Sequence, residues 1–481
     1  MRNMRILIGF SVLLVVLGGL TCKGSKDLTE AEVQAMLARF GDSPLKLKLS
    51  ADESSIGIER AAGKSGRFQV TLKNPECSFS SGMYKEMMME IPEVEIPVEM
   101  GELVLIYGPD EEYCAIRAVR DAVLTFDIMN FVPEEEREKL ENEKVPFQDL
   151  VYSIQELTIN DYDISALLDT PGESFFEASI AMLSANPEIK AAVTKLGLEF
   201  TSQEGLNVFS WVMDRAESTT KASPELLSLF FTQDDVKGTI DRVLEKGKAF
   251  FDLDTRMEGI HVSISGPDAN VDVDLDNLAL SYSGSPTADK EGFKFGFNWD
   301  LSGVEATGLK QEGLEALTKL ERLNLGFSLE GLSPDFVEAY FDMLKTAMKL
   351  QAGGDSEAVQ QEMGLVGMTM VSHLIGSKPI INLSLSPLEH ALGKVEAEGR
   401  FQLIRMGAPV GKATATISDL GELEKQLAAL QIVPEDKLAE LMTQLKQVFV
   451  AADGGPGTMT FEIKEDDTKN FYLNGKPHKL Q

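Results

Sequence analysis

The chain has few of the residues that most often carry catalysis or bind metals. Its 481 residues include four histidines, which are His261, His373, His390 and His478, and three cysteines. No two histidines stand at a metal-ligand spacing, and neither a Cys-x-x-Cys pair nor a Gly-x-Ser-x-Gly turn occurs. The sequence therefore indicates no catalytic, cofactor-binding or metal-binding residue and favours a protein that is not an enzyme. A hydrolase whose triad is assembled from distant residues stays open as an alternative.

Basic residues are also scarce relative to acidic ones. The chain has 45 Lys and Arg against 77 Asp and Glu, which gives a formal net charge of −32. A surface of that sign repels phosphate backbones and anionic lipid headgroups. Nucleic acids are therefore excluded as partners, and the sequence names no protein partner.

A long apolar run occurs at the beginning of the chain. Arg2 and Arg5 precede an almost continuous apolar segment from Ile6 to Leu20, and Cys22 follows. This layout predicts an export signal over residues 1–22 that ends at a lipidated Cys22. The run is shorter than the roughly 20 residues that a spanning helix needs. An ordinary cleaved signal peptide and an uncleaved anchor are the alternatives.

The lipid anchor sets the predicted location. We expect an exported lipoprotein of a bacterial envelope, in the periplasm or at the outer membrane, that reaches its membrane through the lipid on Cys22. In that oxidising compartment Cys77 and Cys114 form an even pair, and a disulfide between them would close a long loop. Two buried, unpaired thiols would give the same sequence pattern.

After residue 22 the pattern divides the chain into three regions. Residues 23–150 begin with a capping box at Thr29 and Glu32, and then alternate with period two, as in Phe68, Val70 and Leu72. Residues 151–255 show helical spacing and are predicted to be rich in helices. Residues 256–481 repeat a strand, a short turn and an amphipathic helix.

The repeated unit is the main indication of the fold. One copy runs from Leu323–Leu329 through Ser333-Pro334 into a helix, and another runs from Ala413–Ile417 through Asp419 into a Leu-rich helix. Such units predict an α+β fold, in which amphipathic helices cover a large, curved, mostly antiparallel sheet. After Asp272, Asp274 and Asp276 the apolar residues change from odd to even positions, which predicts a bulge or a turn near Asn277.

The C-terminal half resembles the YdgA-like and AsmA-like bacterial envelope proteins. The resemblance covers residues 260–481 and lies in Leu385–Leu403, Ala413–Leu430 and Leu473-Asn474-Gly475. It implies a role in envelope maintenance or lipid handling, and it identifies no site residues.

Aromatic residues alternate in one predicted strand, at Phe293, Phe295, Phe297 and Trp299. On one face of a sheet they would either pack against helices or line a hydrophobic groove for a lipid or another hydrophobic ligand, with the 20 methionines as adaptable walls. A groove favours a protein that handles such ligands near the membrane. A filled core favours a structural or protein-interaction lipoprotein.

Overall fold

A computed structural model of the chain describes most of it between Leu28 and Lys479, in two compact units. The described residues are 28–43, 46–62, 66–80, 94–108, 113–127, 130, 137, 149–166, 181–182, 184–201, 208–223, 225, 235–266, 270–308, 318–351, 356–390, 392–404, 409–430, 434–451 and 456–479. Unit 1 comprises Met1–Thr220 with His261–Asp268, and unit 2 comprises Lys221–Ile260 with Ala269–Gln481.

Unit 1 has one helix ahead of a series of strands. The helix α1 begins where the sequence predicts, because Thr29 Oγ1 accepts from the backbone N–H of Glu32 and the Glu32 carboxylate accepts from the N–H of Thr29 at 2.7 Å. The elements are α1 Glu30–Ala38, β1 Lys48–Ser50, β2 Ile56–Arg60, β3 Phe68–Lys73, β4 Glu76–Ser80, β5 Glu95–Gly108, β6 Tyr113–Asp127, β7 Asp149–Asp163, β8 Glu188–Thr201 and β9 Val208–Ala222. Short 3-10 turns occupy Arg39–Asp42 and Glu53–Ser55.

The strands of unit 1 are antiparallel and share one filled core. The pairing runs β2–β3–β5–β6–β7–β8, while β4 pairs with the first part of β5 and β1 pairs with β4. Val33, Met36 and Leu37 of α1 pack into the cluster formed by the inward side chains of these strands. Burial of this apolar face is what holds the helix on the sheet.

Unit 2 is an antiparallel meander with helices inserted at two of its connections. Its strands are β10 Phe251–Ser265, part of which belongs to unit 1, then β11 Asn270–Pro286, β12 Phe293–Thr307, β13 Lys319–Leu332, β14 Ile380–His390, β15 Gly393–Gln402, β16 Val410–Ile417, β17 Val450–Ala451, β18 Gly457–Lys464, β19 Asp467–Leu473 and β20 Lys476–Lys479. Its helices are α2 Val236–Lys246, α3 Pro334–Gln351, α4 Ser356–Ser377, α5 Leu420–Leu430 and α6 Glu435–Val448.

The order of pairing in unit 2 follows the chain. From β11 to β16 each strand pairs with the next, and β18, β19 and β20 continue the sheet after β16. The helices α3 and α4 connect β13 to β14, and α5 and α6 follow β16. The predicted α+β class, with a large, curved, mostly antiparallel sheet and strand-turn-helix units, is confirmed.

Single-residue lapses interrupt the pairing of long strands in both units. The pairing of β7 with β8 lapses at Gln155 and Lys195, where Lys195 has φ +47°, and the pairing of β11 with β12 lapses at Asp276 and Gly303, where Gly303 has φ +69°. At each interruption the apolar residues change from odd to even sequence positions, or the reverse. Because the interruption also reverses which positions point to each face, the same face of the strand stays apolar. The lapse at Asp276 lies next to Asn277, but the pairing register is the same on both sides of it, so each strand has one unpaired residue there and the predicted bulge or turn is not present.

The described residues of 151–255, a region predicted to be rich in helices, hold the strands β7, β8 and β9, the helix α2 and short helical stretches at 165–166, 181–182 and 184–185. The segments 167–180 and 226–234 lie outside the described residues, so the helix content of the region stays a prediction. The two units divide at Thr220 and Lys221, whereas the sequence pattern divided the chain near residues 150 and 255. Ser223-Pro224 is a helix-start signal in the sequence, and residues 226–234, which follow it, lie outside the described residues.

The predicted disulfide between Cys77 and Cys114 is wrong. Both cysteines are buried and they are not bridged. Cys77 lies opposite Val98 at one end of β5, and Cys114 lies opposite Tyr107 near its other end. These positions are roughly 30 Å apart along β5, whereas the Cα atoms of a disulfide lie within about 7 Å of each other.

Candidate functional site

The aromatic row predicted from the sequence lies in β12, and its members differ in environment. Phe293 is buried at 2% exposure, Phe295 and Phe297 are half-buried, and the exposed fraction of Trp299 is 40%. Because alternate residues of a strand share a face, all four side chains stand on one side of the sheet. The row therefore runs from the protein core at one end to solvent at the other.

Two helices of unit 2 pack against the buried end of this row. The first, α2, begins at Asp235, whose carboxylate accepts from the N–H of Gly238 at 3.3 Å, and ends at Gly247 with φ +62°. The second, α3, begins after Ser333, whose hydroxyl accepts from the N–H of Phe336 at 3.2 Å. Their buried contacts with the sheet are Ile240, Val243, Phe250, Phe293, Leu332, Val337 and Phe341.

A pocket of about 520 Å³ opens between these helices and the sheet. Its lining comes from Ile240 and Val243 of α2, from Phe250 and Phe251, from Phe293 and Phe295 of β12, from Phe327, Leu329 and Leu332 of β13, and from Phe336, Val337, Tyr340 and Phe341 of α3. Among the described residues that line it, Tyr340 alone carries a polar side-chain atom. The volume is within the range of ligand sites, roughly 300–1,000 Å³.

One aromatic contact of the pocket wall depends on a glycine. The ring of Phe250 meets Phe293 and Phe295 edge to face, with centroids 5.6 and 5.7 Å away. The same ring lies over Gly284 of β11, where an added Cβ would be 2.7 Å from Phe250 Cζ. A larger residue at this position would displace the ring and reshape the pocket.

The apolar surface continues beyond the pocket on the same face of the sheet. Phe327 lines the pocket and stacks on Phe297, and Phe297 contacts Trp299 with ring centroids 5.9 Å apart. The Trp299 indole N–H donates to the hydroxyl of Tyr282 at 2.9 Å. Leu383 pairs with Phe327 from β14 and is 46% exposed. An apolar patch on interior strands thus adjoins the pocket.

The charged residues of β12 and β13 point to the other face. Arg322 forms two hydrogen bonds to the Asp300 carboxylate, at 2.7 and 3.1 Å, which lower the pKa of that carboxyl group below its usual value. Lys294 pairs with Glu330 at 2.6 Å. Since these pairs stand on alternate positions from Phe293 and Phe295, the pocket face keeps its apolar character. The arrangement suits burial of an apolar chain, because none of the described lining residues supplies charge.

Unit 1 has a second cleft, of a different character. It measures about 470 Å³ and lies beside α1, β1 and β4. Among its charged groups, Glu95 accepts from Lys48 and from Ser78, each at 2.6 Å, and Glu76 accepts from the Ser50 hydroxyl at 3.1 Å. The hydrogen bonds from Lys48 and Ser78 lower the pKa of Glu95. A ligand entering here would have to displace a formed ion pair.

The histidines are placed in four different elements, β10, α4, β14 and β20. The His390 ring nitrogen accepts from the N–H of Leu392 at 3.0 Å, and the His478 ring stacks on Phe471 at 5.1 Å. In the described part of the chain, no group of three or more His, Cys, Asp or Glu side chains is arranged to hold a metal ion.

The sequence anticipated part of this site. It singled out Phe293 and Phe295, which line the pocket, together with Phe297 and Trp299, which do not. The sequence places Phe336 and Tyr340 on the apolar face of the helix that follows Ser333-Pro334, but it did not assign them to the site, and it did not single out Phe341. Cys22 lies outside the described residues, and so do Met87, Met88 and Met89, three of the 20 methionines expected to form adaptable walls.

Comparison with known proteins gives no relative from which a site could be transferred. No protein-family model matches the chain, and neither a curated protein nor a solved structure is similar to it. Within the described residues, no helix combines the length and the apolar character needed to cross a membrane.

Proposed function

We propose that this protein binds the acyl chain of a lipid, or a comparable hydrophobic ligand, in the pocket of unit 2. In this proposal it is an exported, non-enzymatic lipoprotein of a bacterial envelope, anchored through Cys22. The observation that carries the proposal is the open pocket beside Phe295, since a sheet face fully packed by helices would leave no such space.

The composition of the pocket supports an apolar ligand. Cavities lined by aliphatic and aromatic side chains do not hold water well, because water finds no hydrogen-bond partners there. Filling the space with hydrocarbon adds dispersion contacts and removes apolar surface from water. The Tyr340 hydroxyl, on a residue exposed at the pocket wall, is the polar group that could meet a ligand headgroup.

A ligand titration tests the proposal. The probe is a long-chain fatty acid with an environment-sensitive fluorophore, added to the full chain. Leu329→Trp places a larger side chain in the pocket wall and should weaken binding at least tenfold. Leu323→Trp is the matched control, because Leu323 is a half-buried residue on the same face of β13, outside the pocket lining.

The outcomes separate the candidate functions. Binding that is lost in Leu329→Trp and kept in Leu323→Trp supports the ligand site. If the wild-type chain binds neither the probe nor lipids from its own host, the ligand-handling function is wrong. The structural or protein-interaction lipoprotein would then be the better interpretation.

A further inference from the structure

The helix α4 has the composition of a buried helix, yet one side of it is exposed. No charged residue occurs from Met363 to Ser377. Helices that are apolar all round are normally enclosed by other parts of a structure. Here Leu365 and Met368 are 63% and 66% exposed, the highest values among the large hydrophobic residues of the described chain that are exposed.

The exposed residues of α4 form one stripe. They are Gly364, Leu365, Met368, Thr369, Ser372 and Gly376, which recur at the three- and four-residue spacing of a helix face. The stripe lacks the Trp, Tyr and Arg side chains that dominate binding energy at protein interfaces. Its small or flexible uncharged side chains fit a fluid lipid surface better than the defined shape of a protein interface.

The opposite side of α4 is tied to the wall of the pocket. Leu374 packs against the cluster that lines the pocket. The Ser377 hydroxyl donates to the Ser333 hydroxyl at 2.7 Å, and Ser333 caps the start of α3. Met368 lies about 14 Å along the helix from Ser377. The exposed stripe therefore lies on a helix whose other side contacts the wall of the pocket.

We infer that α4 is a membrane-contact helix, which rests on a neutral bilayer surface and receives the ligand that enters the pocket; this rests on the proposed function. Insertion of Leu365 and Met368 among acyl chains would remove the exposed apolar side chains of the helix from water. The absence of charge over this stretch removes the desolvation cost that charged residues would impose. Elsewhere the net charge of −32 opposes contact with anionic lipids, so the inferred surface is a zwitterionic one.

Two measurements test the inference with vesicles of phosphatidylcholine. All chains lack residues 1–21 and carry Cys22→Ser, so that neither the apolar segment from Ile6 to Leu20 nor a lipid anchor contributes. The first measurement is flotation of the protein with vesicles. The second is the rate at which the fluorescent fatty acid moves from vesicles to the protein. Leu365→Glu and Met368→Glu each place a charge on the stripe, and Val450→Glu is the matched control, because Val450 of β17 is 58% exposed.

We expect Leu365→Glu and Met368→Glu to reduce flotation and to slow transfer at least tenfold, while Val450→Glu behaves like the parent. Binding of the dissolved fatty acid should stay unchanged in all three variants, since none of these residues lines the pocket.

If the stripe variants float and transfer like the parent, α4 is not a membrane contact. If the parent is a dimer that Leu365→Glu converts to a monomer, a second copy covers α4 and the inference is wrong. Flotation that depends on α4 without any ligand binding would support the membrane contact and overturn only the proposed function.

Discussion

Phe297 stacks on Phe327 across β12 and β13, with ring centroids 5.2 Å apart and 22° between the ring planes. Phe327 also lines the pocket, whereas Phe297 is outside its lining. The pair therefore joins an enclosed space to an open apolar surface. Along the single strand β12, a buried and a half-buried residue of the pocket lining, Phe293 and Phe295, are followed by the exposed Trp299.

Two phenylalanines of the pocket lining in β12, the buried Phe293 and the half-buried Phe295, should differ in the cost of truncation. A fully buried Phe changed to Ala costs about 3–5 kcal/mol of unfolding free energy, through lost transfer energy and the cavity that remains. We expect Phe293→Ala to show this cost. Phe295→Ala should cost about half as much or less, roughly 1–2 kcal/mol, because its ring already borders empty space, and it should weaken fatty-acid binding more strongly. Urea unfolding and the fluorescence titration measure the two effects.

Equal destabilisation by the two substitutions would contradict this expectation. It would mean that the Phe295 ring is enclosed on all sides in solution and that the space beside it is filled by protein.

We expect any side chain at Gly303, where the pairing of β11 with β12 is interrupted, to lower the stability of the protein. Gly303 has φ +69°, and an added Cβ would collide with the Asp276 carboxylate. A left-handed backbone costs a residue with a Cβ about 1–2 kcal/mol. We therefore expect Gly303→Ala to lower the unfolding free energy by at least that amount. Gly296→Ala is the control in the same strand, because its nearest neighbour, Ser283 Oγ, would be 3.6 Å from the new Cβ. A Gly303→Ala chain as stable as Gly296→Ala would show that the backbone at this position is not held in the left-handed region.

The regular strands and the capped helices could be predicted from local pattern. The Thr29–Glu32 capping box places α1, and the alternation from Phe293 places β12, because each signal lies within one element. The stripe of Val236, Ile240 and Val243 likewise predicts α2. In these segments no interruption disturbs the spacing of the apolar residues over the length that the pattern needs.

The middle strands could not be recognised because their interruptions imitate a helical period. In β8 the apolar residues follow period two up to Val193, and then shift to Leu196 across Lys195, which has a positive φ. A step of three between runs of period two resembles the spacing of a helix. For another reason the sequence could not decide whether the aromatic row of β12 packs against helices or lines a pocket. The answer depends on the distance between α3 and the sheet, which no local pattern determines.

Acylation of Cys22 remains a prediction from the sequence. The apolar segment from Ile6 to Leu20 directly before this cysteine is the basis for it. We expect the wild-type protein to carry acyl chains on Cys22 and to fractionate with membranes. Cys22→Ser should abolish acyl labelling and shift the protein towards the soluble fraction. A Cys22→Ser protein that stays in membranes, beside a wild type that never acquires label, would remove the lipoprotein assignment.

The buried thiols should be inert in the folded protein. Cys77 and Cys114 are buried and not bridged, and burial raises the pKa of the Cys77 thiol to about 12. Because the thiolate is the reactive form, maleimide should label neither residue in native protein near pH 8, and both in denaturant without reductant. Met368→Cys is a positive control, as that site is exposed. If both cysteines resist labelling in denaturant until reductant is added, they are bridged and the expectation of free, inert thiols fails.

The raised pKa of Cys77 also predicts how stability depends on pH. In the unfolded chain the thiol ionises near its ordinary pKa of 9.0, whereas in the folded chain desolvation holds the pKa near 12. The folded state therefore retains the proton longer. The contribution of the protonated Cys77 thiol to stability is complete below pH 9 and is lost as the pH rises from there towards the folded pKa, by up to about 1.4 kcal/mol per pH unit.

The Cys77→Ala chain has no thiol at this position, so its unfolding free energy lacks this pH-dependent loss. Urea unfolding of both chains at several pH values from 8 to 11 should show the parent's advantage over Cys77→Ala shrinking above pH 9. The tyrosines titrate in both chains and cancel in the comparison. A difference that stays constant across this range would show that the thiol is solvated in the folded protein.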